Sequence, residues 1–556
     1  MRSDRRAFTA FAWVLAALAA MPVAAVVSRG IAFDAGRTLE HLASTVLPGY
    51  VGNTLALLVI VGAGVGIGGT AAGWLVARHR FPGSRFFEWA LLLPLAMPSY
   101  VMAYAYTDFL QYAGPLQSAL RGWFGWTRAD YWFPDVRTLG GAAVMFVFTL
   151  YPYVYLLART AFLDRPPALL EAARTLGLDR RAVFWQVDLP LARPAIAAGI
   201  ALALMETLAD YGTVAYFAVD TFTTGVYRAW FSLGDRAAAA QLATALLAFV
   251  VLALTLERAS RGAARTYGGA RGKAVSRHAP ERLTGANAAA ATTLCSVAVL
   301  LGFILPVLLL LRLIMGEPDV AWSSRFFAWG WNSLRVATVA ALLAVLLATL
   351  MAYAVRIAPG RVTRIGSIVL TLGYAVPGTV LAVGVLLPLG VLDNALNAHW
   401  RAHSGSGGGL LLTGTTFALI YAYLVRYFAV AWNGIEPGLA RITPSMDAAA
   451  RSLGAGALAT FRRVHLPLLS RSGAAALLLV FVDVMKELPA TLVLRPFNFD
   501  TLATQTYLFA KDERLAEAAL PSLAIVAVGL VPIVALARIS RKQRAQSRYA
   551  LAVQPR

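Results

Sequence analysis

Stretches of about twenty apolar residues recur along the whole chain, and nothing else in the sequence restricts its fold so strongly. The run from Leu55 to Val76, "LALLVIVGAGVGIGGTAAGWLV", is one of them. At 1.5 Å per residue a helix of that length crosses the ~30 Å hydrocarbon core of a bilayer, and it satisfies its own backbone there. Twelve such runs are expected as spans: residues 9–28, 52–77, 87–107, 139–158, 192–217, 237–256, 289–314, 332–355, 366–388, 410–432, 471–494 and 516–537. Charged residues make up only 14% of the 556, against roughly 25% in a soluble domain, too little to cover a water-facing surface of this size. The chain reads as an all-α polytopic membrane protein. Its first run follows Arg2, Arg5 and Arg6 and is longer than a signal-peptide core, so it is expected to be a retained helix.

The net charge of +21 would suggest nucleic acid in a soluble protein. Here the arginines gather in short loops between apolar runs, where anionic lipid headgroups and the positive-inside rule explain them, and no nucleic-acid partner is expected. Arg258, Arg261, Arg265, Arg271, Lys273, Arg277 and Arg282 crowd one connection. Arg538, Arg541, Lys542, Arg544, Arg548 and Arg556 crowd the end of the chain. Both segments are placed in the cytoplasm, with the N-terminus on the same side. One cysteine, Cys295, rules out an intramolecular disulfide.

The two halves repeat. Gly177 and Gly454, Pro190 and Pro467, Pro167 and Pro444, Arg174 and Arg451, and Phe184 and Phe461 all pair at one offset of 277 residues. Asn53 pairs with Asn332, and Pro98 with Pro377, at 279. An even number of spans between copies makes this two six-helix parallel repeats: residues 1–256, a basic linker 257–287, and residues 288–556.

The best-matched stretches are polar: "EAARTLGLDRRAVFWQVDLP" from Glu171 and "DAAARSLGAGALATFRRVHLP" from Asp447. Each reads as a short helix closed by a glycine, Gly177 or Gly454, then a second short helix stopped by a proline. Asp179 is placed to cap the second helix of the first copy. The elbow offers a small apolar ridge of Leu169, Leu170, Ala173 and Leu176, for which a soluble partner is the natural cover. An interfacial connector is the plainer reading, and two matched copies weigh against it.

These elbows resemble the EAA…G…LP loop of importer-type ABC transporter permeases. That resemblance assigns Glu171, Ala172, Ala173, Gly177, Leu189 and Pro190 to docking on an ATPase subunit, and likewise Asp447, Ala449, Ala450, Gly454, Leu466 and Pro467. In the second copy Ala448 replaces Glu171, so a shifted acidic contact is expected there. "MKELPATLVLRPFNFDTLATQTY" from Met485 is similar to ferric-iron permeases with two halves fused in one chain. Fused thiamine, polyamine and phosphonate permeases are close alternatives. The resemblance implies a bacterial inner-membrane protein served by a periplasmic binding protein and two ATPase copies. ATP and magnesium would sit on those copies and no cofactor on this chain.

No P-loop is legible. Gly272-Lys273 is followed by Ala274, and Tyr267 stands where the first glycine belongs. "GVGIGG" matches GxGxxG at Gly64, Gly66 and Gly69, but it lies inside a span, where small residues serve close helix packing. Acidic residues inside apolar runs are the candidates for a translocation path: Glu206 and Asp210 beside Tyr211 in one half, Asp483 and Glu487 in the other. Spacing of four sets each pair on one helix face, where carboxylates suit a hard cation. Equally, Lys486 can neutralise the second pair, and "ADYG" and "KELP" can simply break their helices. Trp123, Trp126, Tyr131, Trp132 and Phe133 suit an outer interfacial belt or a binding-protein contact. An ion-coupled secondary transporter also has twelve spans in two halves but leaves the elbows unexplained. A membrane enzyme lacks a constellation, since the six histidines are scattered.

Overall fold

The computed structural model describes residues 2–31, 36–163, 172–173, 175–261, 281–317, 325–404 and 409–552. Glu171, Arg174, Leu169 and Leu170, and most of the basic linker, lie outside the described residues. Among the described residues the regular structure is helical apart from a two-residue pairing of His79–Arg80 with Glu281–Arg282. Among the described residues, eleven helices are long and apolar enough to cross a membrane, and there are twelve if a pair bent by 91°, Ser84–Ala96 and Ser99–Phe124, counts as one span.

The bend has a local cause. Pro98 offers no N–H and disfavours helix at Met97, which is extended at ψ 111°. Pro377 acts alike on Val376, at ψ 123°. The ninth span therefore runs Gly378–His403 rather than over 366–388, and a separate amphipathic helix, Arg361–Leu372, precedes it. The tenth span is Thr416–Ala440, displaced towards the C-terminus from 410–432. Hydropathy sums do not register a proline break, so the expected windows straddled it.

Two compact units arise, and they are not the sequence halves. One comprises Met1–Leu42, Gly225–Leu247 and Trp322–Leu508; the other Ala43–Thr224, Ala248–Ala321 and Phe509–Arg556. In the first unit the N-terminal helix packs on the ninth span so closely that a Cβ at Gly384 would collide with the carbonyl oxygen of Pro22. In the other, the seventh span (Gly285–Gly316) packs on the twelfth. Each six-helix repeat thus lends its first span to the unit built mainly from the other repeat.

Within the second unit, the glycines of the second span (Leu47–Arg78) do what small residues do between helices. A Cβ at Gly69 would sit 2.6 Å from Val154 Cβ and 2.8 Å from Tyr151 O of the fourth span, and Gly64 is equally tight against Val147. The GxGxxG match is a packing seam.

Candidate functional site: two elbows and two helix breaks

Each elbow turns on a glycine. Gly177 has φ +81° and Gly454 φ +80°, left-handed values that cost an L side chain about 1–2 kcal/mol. The hydrogen bonds follow the Schellman pattern: Leu178 N–H donates to Ala173 O at 3.1 Å, and Ala455 N–H to Ala450 O at 3.0 Å. Asp179 caps the next helix, accepting from Ala182 N at 2.8 Å, whereas Gly456 holds the matching place in the second copy. Ala173 is not on the presented ridge. It is buried on Val183, and Ala450 is buried too, because their carbonyls close the turn from inside. The outward face is Ala172, Leu176 and Gly177 in one copy and Ala449, Leu453 and Gly454 in the other. Leu176 and Leu453 are 82% and 87% exposed, an apolar tip that water alone does not reward.

Pro190 and Pro467 do not stop the second helix. A π turn, Phe184–Asp188 or Phe461–His465, carries the helix through, with Leu189 N–H bonded to Phe184 O and Leu466 N–H to Phe461 O. The wider turn absorbs the hydrogen bond that proline cannot make. Pro306 in the seventh span is prepared in the same way by Leu300–Ile304. As a result, elbow and fifth span form one helix, Arg181–Ala209, and so do their counterparts, Phe461–Met485. Leu189, Pro190, Leu466 and Pro467 sit at these joints.

An arginine the sequence reading passed over holds each elbow. Arg78, at the end of the second span, reaches Asp188 Oδ1 at 2.9 Å, while Trp74 Nε1 donates to Oδ2 at 3.3 Å. Arg356, 278 residues on, reaches Asp447 Oδ2 at 2.6 Å and also donates to the carbonyls of Leu439 and Ile442. The acid has changed place: His465 occupies the position of Asp188, and Asp447 that of Leu170. His465 is buried, with Nε2 2.7 Å from Asp447 Oδ1, so it is part of the joint and not loop surface. Asp447 is accordingly engaged within the chain. Burial alone would raise its pKa, but the hydrogen bonds and charges of Arg356 and His465 outweigh that and hold the carboxyl below its ordinary value.

At the far end of the same helices the four acids separate. The fifth span ends at Ala209 and its counterpart at Met485, so Glu206 and Asp483 lie on helix while Asp210 and Glu487 lie beyond it. The shared-face geometry fails because the helix breaks between the members of each pair. Asp210 caps the short helix Gly212–Tyr216 through Thr213 N at 2.8 Å, and accepts from Ser99 Oγ at 2.8 Å. Glu487 caps Pro489–Leu494 through Ala490 N at 2.9 Å and Thr491 N at 3.0 Å. Tyr211 is buried next to the first break. Asp483 pairs with Lys486 at 3.0 Å.

The second break carries two basic side chains, Lys486, where the first repeat has Ala209, and Arg426. Arg426, buried in the tenth span, comes within 3.9 Å of Glu487, and Gly378 leaves the room: a Cβ there would meet Arg426 Nη1 at 2.6 Å. Ser99, the counterpart of Gly378, instead hydrogen-bonds Asp210. A charge in mid-span is a functional candidate by default, and Arg426 was legible on that ground. Beside each break Asn53 donates to Asp220 O at 2.8 Å and Asn332 to Asp500 O at 3.0 Å, the same tie in both repeats. Among the described residues, no group of three or more His, Cys, Asp or Glu side chains gathers to hold a metal ion.

Residues 64–260 match the family model described as the binding-protein-dependent transport system inner membrane component. The molybdenum transport system permease protein of Escherichia coli is 31% identical over 189 residues, 33% of this chain and 80% of the relative. The chain belongs to this permease family. It is therefore a multi-pass inner-membrane permease of a binding-protein-dependent system. Two relatives extend over most of its length. An Fe(3+)-transport system permease protein of Haemophilus influenzae is 26% identical over 94% of this chain and 96% of its own. A ferric transport system permease protein of Actinobacillus pleuropneumoniae is 24% identical over 84% of this chain and 67% of its own. This permease thus aligns with the first of these relatives over nearly the whole length of both chains.

Proposed function

We propose that this permease moves ferric iron, delivered by a periplasmic binding protein, into the cytoplasm, with both termini on the cytoplasmic side. The alignment along 94% of the chain with a permease named for Fe(3+) transport carries the substrate reading. A separate ATPase supplies the energy, two copies per chain, one on each elbow, with ATP and magnesium bound there. The continuous helices Arg181–Ala209 and Phe461–Met485 support this coupling, because each runs from the second arm of its elbow to the break that bears Asp210 or Glu487. Glu206, Asp210, Tyr211, Asp483 and Glu487 then border the path, their capping bonds remaking as the breaks open and close.

Uptake of radiolabelled ferric iron by matched cells with and without the chain tests the substrate, with labelled thiamine in parallel. Iron uptake lost with the chain and restored by it is the expected result. Loss of thiamine uptake alone would move the permease to the thiamine branch.

A further inference from the structure

Two histidines four residues apart in the sequence stand at the C-terminal end of the ninth span. His399 and His403 lie one helical turn apart, with ring centroids 4.2 Å from each other, and both are exposed. His403 Nδ1 lies 2.9 Å from His399 O. A carbonyl can only accept, so in the neutral tautomer that makes this bond Nδ1 carries the proton and Nε2 keeps its lone pair. That is how metal-binding imidazoles are usually prepared, one ring nitrogen donating to a carbonyl and the other left as ligand. Histidines at i and i+4 share one helix face and form the two-imidazole half of familiar zinc sites.

We propose that His399 and His403 form a surface site for a borderline divalent transition cation, completed by solvent, at the end of the Gly378–Ser404 helix. Two neutral imidazoles select Cu2+, Ni2+ and Zn2+ over hard cations such as Mg2+, Ca2+ or the ferric ion, and Cu2+ binds most strongly of the three. The site is thus chemically separate from the carboxylates at the helix breaks. Its placement on the periplasmic side rests on the orientation proposed above, but its binding does not.

The test uses the full-length protein in detergent, without a polyhistidine tag, titrated with Cu2+ and followed by electron paramagnetic resonance. The wild type should take up one equivalent showing coupling to imidazole nitrogen. His399→Ala and His403→Ala should each weaken that binding by at least about tenfold, in the range that disturbing a metal site's supporting bonds costs. A third variant, Arg401→His with His403→Ala, keeps six histidines but turns the second ring about 200° around the helix, and it should bind no better than His403→Ala alone. Equal Cu2+ binding by wild type and the single variants would overturn the proposal, as would recovery in the third variant. Failure of iron uptake would leave the result untouched, so the two readings fail separately.

Discussion

The two elbows share a backbone and differ in how they are fastened. Both have a left-handed glycine, a Schellman closure, a π turn and a span-end arginine. In the first, Arg78 meets an acid from the π turn itself, Asp188, whose side chain is 5% exposed. In the second, Arg356 meets an acid from the opposite arm, Asp447, 24% exposed and shared with His465. Both copies hold the arginine and shape the turn, with the acid coming from a different arm in each. The first fastening is the more buried, so it is the more fragile.

The largest effect is expected where the copies are identical. Gly177→Val or Gly454→Val forces a β-branched residue into the left-handed region, and either should cut uptake at least about tenfold while the protein stays in the membrane. Membrane immunoblots beside the uptake assay check this, and full transport by both variants would break the likeness.

Next comes the difference in fastening. Arg78→Ala takes the cation from a buried carboxylate and leaves it the neutral Trp74 N–H, a loss of up to about 3–5 kcal/mol. Arg356→Ala should cost distinctly less, since Asp447 is more exposed and keeps His465. Thermal unfolding of the two variants in detergent gives the order, and the reverse order would contradict the comparison. A sharper form moves the acid. Asp447→Leu alone should impair transport, and adding His465→Asp, which rebuilds the first arrangement in the second copy, should restore a substantial part of it.

The smallest effect concerns pH. The depressed Asp447 pKa means that folding favours its charged form, so this contribution is complete above the ordinary carboxylate pKa of ~3.9 and is lost as pH falls through the lower folded value. Hydrogen exchange across residues 444–455, corrected for intrinsic rates, should show protection falling only at the acid end. Protection constant through that range would contradict the role of the ion pair.

The elbows were legible because Gly177 and Gly454 answer a backbone requirement that few other residues meet, and the repeat doubled the signal. The fastening arginines were not, since a cation at a cytoplasmic span end is what the positive-inside rule already expects. Only the like placement of Arg78 and Arg356 at the ends of matching spans, set against the lost acid at His465, could have revealed them. The acidic residues were found, but their geometry was misjudged: spacing of four implies one face only if the helix continues, and Asp210 and Glu487 are the residues that end it. The third and ninth spans slipped for a related reason, because Pro98 and Pro377 break helices without lowering the average hydropathy.

The central claim is that each elbow receives its own ATPase copy, and cross-linking tests it most directly. Cys295 is the sole cysteine and is buried, so a Cys295→Ala background leaves the surface clean. Leu176→Cys and Leu453→Cys, introduced singly, should each cross-link to the ATPase, and together they should yield one chain bearing two ATPase copies. Cross-linking at only one elbow, or at neither, in a chain that still transports would contradict the account.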